Sequence, residues 1–120
     1  MKNTIIIKKN YEFKMFFSKG KFYSGEYINM YIHKSNLSYN KLGIAISRKL
    51  GKAVKRNRIK RLIRENYKNF ENNIKNGTNI LIIINKNIDI KKVSYNDIFK
   101  DFENILKKAD VIKDWWKNLY

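Results

Sequence analysis

The sequence contains no cysteine and no proline, and only one histidine and five glycines among 120 residues. Without cysteine there is no disulfide framework and no thiolate metal site, which suits a reducing cytoplasm. Without proline, and with few glycines, nothing marks an interdomain linker, so the chain reads as one domain over residues 1–120. Long apolar runs are missing too. The longest, residues 80–84, is strand-sized, far below the roughly 20 residues of a membrane-spanning helix. Residues 1–10 are rich in Lys, Ile and Asn and lack the apolar core and small-residue cleavage site of a signal peptide. Acids are scarce as well, with ten Asp and Glu against 27 Lys and Arg, a net charge of +17.

These absences bound the chemistry. A protein that breaks phosphodiester bonds unaided needs a general base, or carboxylates that hold a metal. Here there are only His33 and scattered acids, so no catalytic side chain and no protein metal ligand is expected. Asp97 and Asp101, four apart on a predicted helix, read as a solvated face. What the chain does have is a hydrophobic fraction of 43%, enough for a folded core. Its positive field attracts polyanions, nucleic acid before an anionic membrane surface. Nothing suggests a small-molecule substrate.

Periodicity outlines the elements. Asn10 is placed to cap a helix running to Lys19, with Gly20 as its stop. A turn or short strand follows through Phe22 and Tyr23. Residues 27–33 alternate, with Ile28, Met30 and Ile32 on one side and Tyr31 on the other. Residues 41–47 alternate again, with Leu42, Ile44 and Ile46 opposed to the small Gly43, Ala45 and Ser47. Residues 52–75 take a helical period, with a stripe of Ile59, Leu62, Ile63, Tyr67, Phe70 and Ile74. Residues 79–85 read as a strand buried on both faces. Ser94 and Asp97 resemble a capping box for a helix that turns Ile98, Phe102, Ile105 and Leu106 inward. The fold class expected is α+β, in the order α-β-β-β-α-β-α, with helices packed on a small mixed sheet. A tail over residues 109–120 carries Trp115 and Trp116, expected to pack on the core or to support self-association.

The charge is clustered. Arg48, Lys49, Lys52, Lys55, Arg56, Arg58, Lys60, Arg61 and Arg64 form a run of nine cations without an acid before Glu65. Asn57, Lys60, Arg61, Arg64 and Lys68 fall opposite the apolar stripe. Successive turns space such groups about 5–6 Å apart, suited to a phosphate backbone. A helix selected only for solubility would mix signs, so the stacked like charge points to polyanion binding. The loop entering this helix, residues 47–52, adds backbone N–H groups and the positive dipole end. Aromatic rings form a second constellation. Phe13 and Phe17 lie one turn apart, Tyr31 faces the polar side of its strand, and a floor of Gly43, Ala45 and Ser47 lies beside them. Single-stranded nucleotides stack on exposed rings of this kind. Phe16, by contrast, reads as core.

The ordered run from Lys41 to Glu65, centred on Lys55-Arg56-Asn57-Arg58-Ile59-Lys60-Arg61, resembles the signature of the bacterial ribonuclease P protein family. Residues 7–20 resemble that family's opening helix, and the likeness spans roughly residues 4–108. Ser47-Arg48-Lys49-Leu50 departs only conservatively, while the tail exceeds the family's usual end. The resemblance implies an RNA-binding subunit whose catalytic partner is a separate RNA, cutting with Mg²⁺ held mainly by that RNA. The protein would help the RNA fold and grip the single-stranded 5′ leader of precursor tRNA, with Phe13, Phe17, Tyr31 and Ser47 in the leader cleft. Arg48, Lys49, Lys52, Lys55, Arg56, Asn57, Arg58, Lys60, Arg61 and Arg64 would face the catalytic RNA. It also implies a left-handed βαβ crossover around the basic helix, against the general rule. A structural RNA-binding protein of ribosomal type shares the basic helix without needing the ring cluster.

Overall fold

A computed structural model describes residues 3–113. The elements are β1 (Thr4–Ile6), α1 (Asn10–Lys19), β2 (Lys21–Ser24), β3 (Ile28–Lys34), β4 (Asn40–Ala45), α2 (Ala53–Phe70), β5 (Thr78–Ile84) and α3 (Tyr95–Lys108). The strands form one five-stranded sheet in the order β1-β4-β5-β3-β2. β4 pairs with β5 in parallel, and α2 is the crossover between them. β3 pairs with β5 and β2 in antiparallel fashion.

β5 occupies the centre because it is apolar on both faces. Ile80, Ile82 and Ile84 point into the larger core, with Ile59, Ile63, Tyr67 and Phe70 of α2 and Ile98, Phe102, Ile105 and Leu106 of α3. Leu81 points the other way, toward Ile7 and Phe16 of the α1 side. The helices therefore cover both faces of the sheet, α1 on one and α2 with α3 on the other. Phe16 is fully buried, as its spacing predicts. Ser94 and Asp97 close a reciprocal capping box at the start of α3. Gly77, at φ 81°, makes the tight turn into β5 that a side chain would strain.

Four details differ from the sequence expectation. First, β1 precedes α1: Thr4–Ile6 pairs in parallel with Asn40, Lys41 and Leu42 at the sheet edge. Three residues whose partner lies far along the chain carry no periodic signal. Second, Lys9 rather than Asn10 stands at the N-cap of α1, without a side-chain cap. Third, α2 ends at Phe70, and a 3₁₀ turn, Glu71–Asn73, follows. Fourth, Asp101 is buried rather than solvated. Its Oδ1 accepts the Glu26 N–H at 3.0 Å, and its Oδ2 those of Tyr27 and Ile28 at 2.7 and 3.0 Å. It pins the β2–β3 turn to α3. Trp115 and Trp116 lie outside the described residues. Among the described residues no helix is long and apolar enough to cross a membrane.

Candidate nucleic-acid interface

α2 is anchored by its apolar underside. Ile59, Ile63, Tyr67 and Phe70 have no exposed surface. That fixes the rotation of the helix and turns Asn57, Arg61, Arg64 and Lys68 to solvent. Lys60 is half-buried at the margin. Arg61 Nε meets Glu65 Oε1 at 3.2 Å in an exposed i, i+4 pair, a small relief within an otherwise like-charged row. Arg48 and Lys49 sit on a 3₁₀ turn, Arg48–Leu50, whose cap is Ser47: its Oγ accepts the Lys49 N–H at 3.2 Å. Lys52 is exposed at the N-cap of α2.

Two arginines of the central motif turn back on the protein. Arg56 Nε donates to Gly51 O at 3.1 Å. Arg58 forks across the loop after β5, with Nη1 on Ile90 O at 3.2 Å and Nη2 on Val93 O at 3.0 Å. Lys55 meets Lys91 of the same loop. The adjacent Lys91 side chain, lost hydration and the Lys91 charge hold the Lys55 ammonium below its usual range, with the Asp89 charge opposing.

On the other face, α1 holds its rings against β3 and β4. Phe17 and Tyr31 stack edge to face at 5.0 Å between centroids. Phe17 is 55% exposed, so the ring is presented rather than sequestered. Phe13 lies over Gly43, where an added Cβ would come within 2.8 Å of its ring. The small residue is what lets the ring approach the sheet. Sequence reasoning missed Phe22, which is directly opposite Tyr31 in the β2–β3 register, with its ring 5.1 Å away and 49% exposed. Only strand pairing reveals that neighbour. Ser47 does not join this floor; with Lys49, Leu50 and Lys86 it lines a separate hollow of about 430 Å³. A second hollow, about 340 Å³, is lined by Ile6, Ile7, Lys8, Phe13, Ile44, Lys60 and Arg64. It runs round the β1 edge and links the ring surface to the cations of α2.

A basic ridge joined to presented rings, on this strand order, has known relatives. The family model described as Ribonuclease P matches residues 1–110. The chain belongs to the ribonuclease P protein family. The ribonuclease P protein component of Clostridium botulinum (strain Langeland) is 40% identical over 106 residues, covering 88% of this chain and 94% of that one. That of Clostridioides difficile is 36% identical over 106 residues, covering 88% and 91%. The solved ribonuclease P protein of Staphylococcus aureus superimposes with a TM-score of 0.78 at 34% identity, over 90% of this chain and 97% of that chain. The Thermotoga maritima protein gives 0.77 at 29% identity, over 87% and 96%. As a ribonuclease P protein the chain is an RNA-binding subunit of a ribonucleoprotein endoribonuclease, and a ribosomal structural role is not favoured.

Proposed function

We propose that this subunit works in the cytoplasm on precursor tRNA, assisting the catalytic RNA in removing the 5′ leader. The solvent face of α2, with the Arg48–Leu50 turn, takes the catalytic RNA through Arg48, Lys49, Lys52, Lys55, Asn57, Lys60, Arg61 and Arg64. Arg56 and Arg58 contribute charge while bracing their surroundings. The exposed ring of Phe17 and the half-buried rings of Tyr31 and Phe13 stack the single-stranded leader, while Ser47, in its separate hollow, lies outside that path. Among the described residues no three of His, Cys, Asp and Glu come together. On this reading the Mg²⁺ of the reaction belongs mainly to the catalytic RNA, and no step is routed through a protein ligand.

The observation that carries this reading is the hollow joining Phe13 to Lys60 and Arg64, because it gives one RNA path access to both rings and cations. Reconstitution tests it. Adding the chain to bacterial ribonuclease P RNA at low Mg²⁺ should raise the rate of precursor tRNA cleavage. Phe17→Ala should reduce the preference for precursor over mature tRNA by about tenfold, the worth of one stacked base at 1–3 kcal/mol. Cleavage equal to that of RNA alone would sink the assignment.

A further inference from the structure

The segment between β5 and α3, residues 85–94, carries Lys86, Lys91 and Lys92 against a single acid, Asp89. Its apolar residues point inward: Ile90 and Val93 are each 2% exposed and belong to the main core. Its lysines are exposed. Asp89 is already engaged, accepting the Lys91 N–H on Oδ1 at 3.0 Å, while its carbonyl accepts the Lys92 N–H at 3.0 Å. Among the described residues none of Lys49, Lys55, Lys86, Lys91 or Lys92 is ion-paired.

The loop is also fastened where it lies. The Arg58 fork onto Ile90 O and Val93 O joins it to α2. At Gly51 a Cβ would come within 3.0 Å of Ile90 Cδ1, so the loop packs closely against the turn that enters α2. This fastening sets Lys91 beside Lys55 and Lys86 across the 430 Å³ hollow from Lys49. Two pairs of ammonium groups are thereby held close, with the Asp89 carboxylate acting on Lys55 but, among the described residues, no ion pair formed. Holding like charges together is unfavourable for the free protein. It is repaid when a polyanion bridges them.

We propose that residues 85–94 form a second cationic strip of the RNA interface, with Lys86 and Lys91 binding RNA phosphates alongside Lys49 and Lys55 and with Arg58 as the positioning residue that latches the strip to α2. The inference rests on the RNA-binding reading and extends it beyond the basic helix. The strip continues past the α2 N-terminus, so one phosphate chain can pass from helix to loop.

The test is filter binding of the full-length chain to bacterial ribonuclease P RNA over a range of salt. The Lys86→Ala/Lys91→Ala double variant should bind roughly tenfold more weakly and lose about 1.5 units of log–log salt slope, as expected for two phosphate contacts. Lys86→Gln/Lys91→Gln, which keeps the side-chain bulk, should behave alike, with thermal unfolding unchanged in both. Lys60→Ala serves as the reference for α2. Weakening by Lys60→Ala with wild-type affinity and slope in both double variants would overturn the strip and leave the helix reading standing. Wild-type binding by all of them would overturn both. For the latch, Arg58→Lys keeps the charge but cannot fork onto two carbonyls. Amide exchange at Lys91 and Lys92 should quicken in Arg58→Lys as in Arg58→Ala; unchanged exchange would refute the positioning role.

Discussion

Asp101 and Tyr67 are buried for opposite electrostatic reasons. Asp101 gathers three backbone N–H groups from Glu26, Tyr27 and Ile28. Asp101→Asn would set an NH₂ group against one of those donors, and the expected cost is about 1–3 kcal/mol, read by urea unfolding. Tyr67 OH lies 2.8 Å from Thr4 Oγ1, which also donates to Glu71 Oε2 at 2.6 Å. Lost hydration pushes the phenol up to about 12, the Glu71 charge adds to that, and the Thr4 hydrogen bond opposes it. Between its ordinary value near 10 and this one, the native protein keeps a proton that the unfolded chain has released. Stability from this group is therefore intact below pH ~10 and lost as pH rises toward 12, by about 3 kcal/mol. Unfolding curves of wild type and Tyr67→Phe should converge over that window. Neither environment is legible in the sequence. The donors to Asp101 lie more than 70 residues away, and a helical wheel shows only its spacing from Asp97.

At the scale of elements, legibility follows period. β5 is readable as doubly buried because Ile80–Ile84 admits no polar residue. The two faces of α2 are readable because apolar and cationic residues keep separate phases of one helical turn. β1 is not, since three residues pairing with β4 have neither length nor alternation to announce them. Pairing register likewise decides Phe22. Within the ring surface the critical fit is that of α1 over β4. Gly43→Ala would place a Cβ 2.8 Å from Phe13 Cε1 and 3.1 Å from Leu81 Cδ1. The ring must move, at an expected cost of about 1–3 kcal/mol by overpacking. Preference for precursor over mature tRNA should fall with it, in the same comparison that tests Phe17→Ala.

For the whole molecule the governing quantity is the net charge of +17. Association with RNA should weaken steeply with salt, through released counterions. Arg64→Ala, exposed on α2 and lining the edge hollow, should lower that slope by roughly one unit with little change in melting temperature. A retained slope would mean that Arg64 meets no phosphate. The whole-molecule charge is plain in the composition, whereas its division between α2 and the loop after β5 is not. That division depends on the Arg58 fork, between groups 32 and 35 residues apart.

The sheet separates α1 from α2, and this single layer has a metric consequence. The axes of α1 and α2 are thereby held about 20 Å apart. β5, wedged between both hydrophobic layers, makes that spacer stiff. If RNA is held at both helices, as the proposed function requires, the protein would act as a gauge as well as a clamp, its span set by the thickness of one sheet.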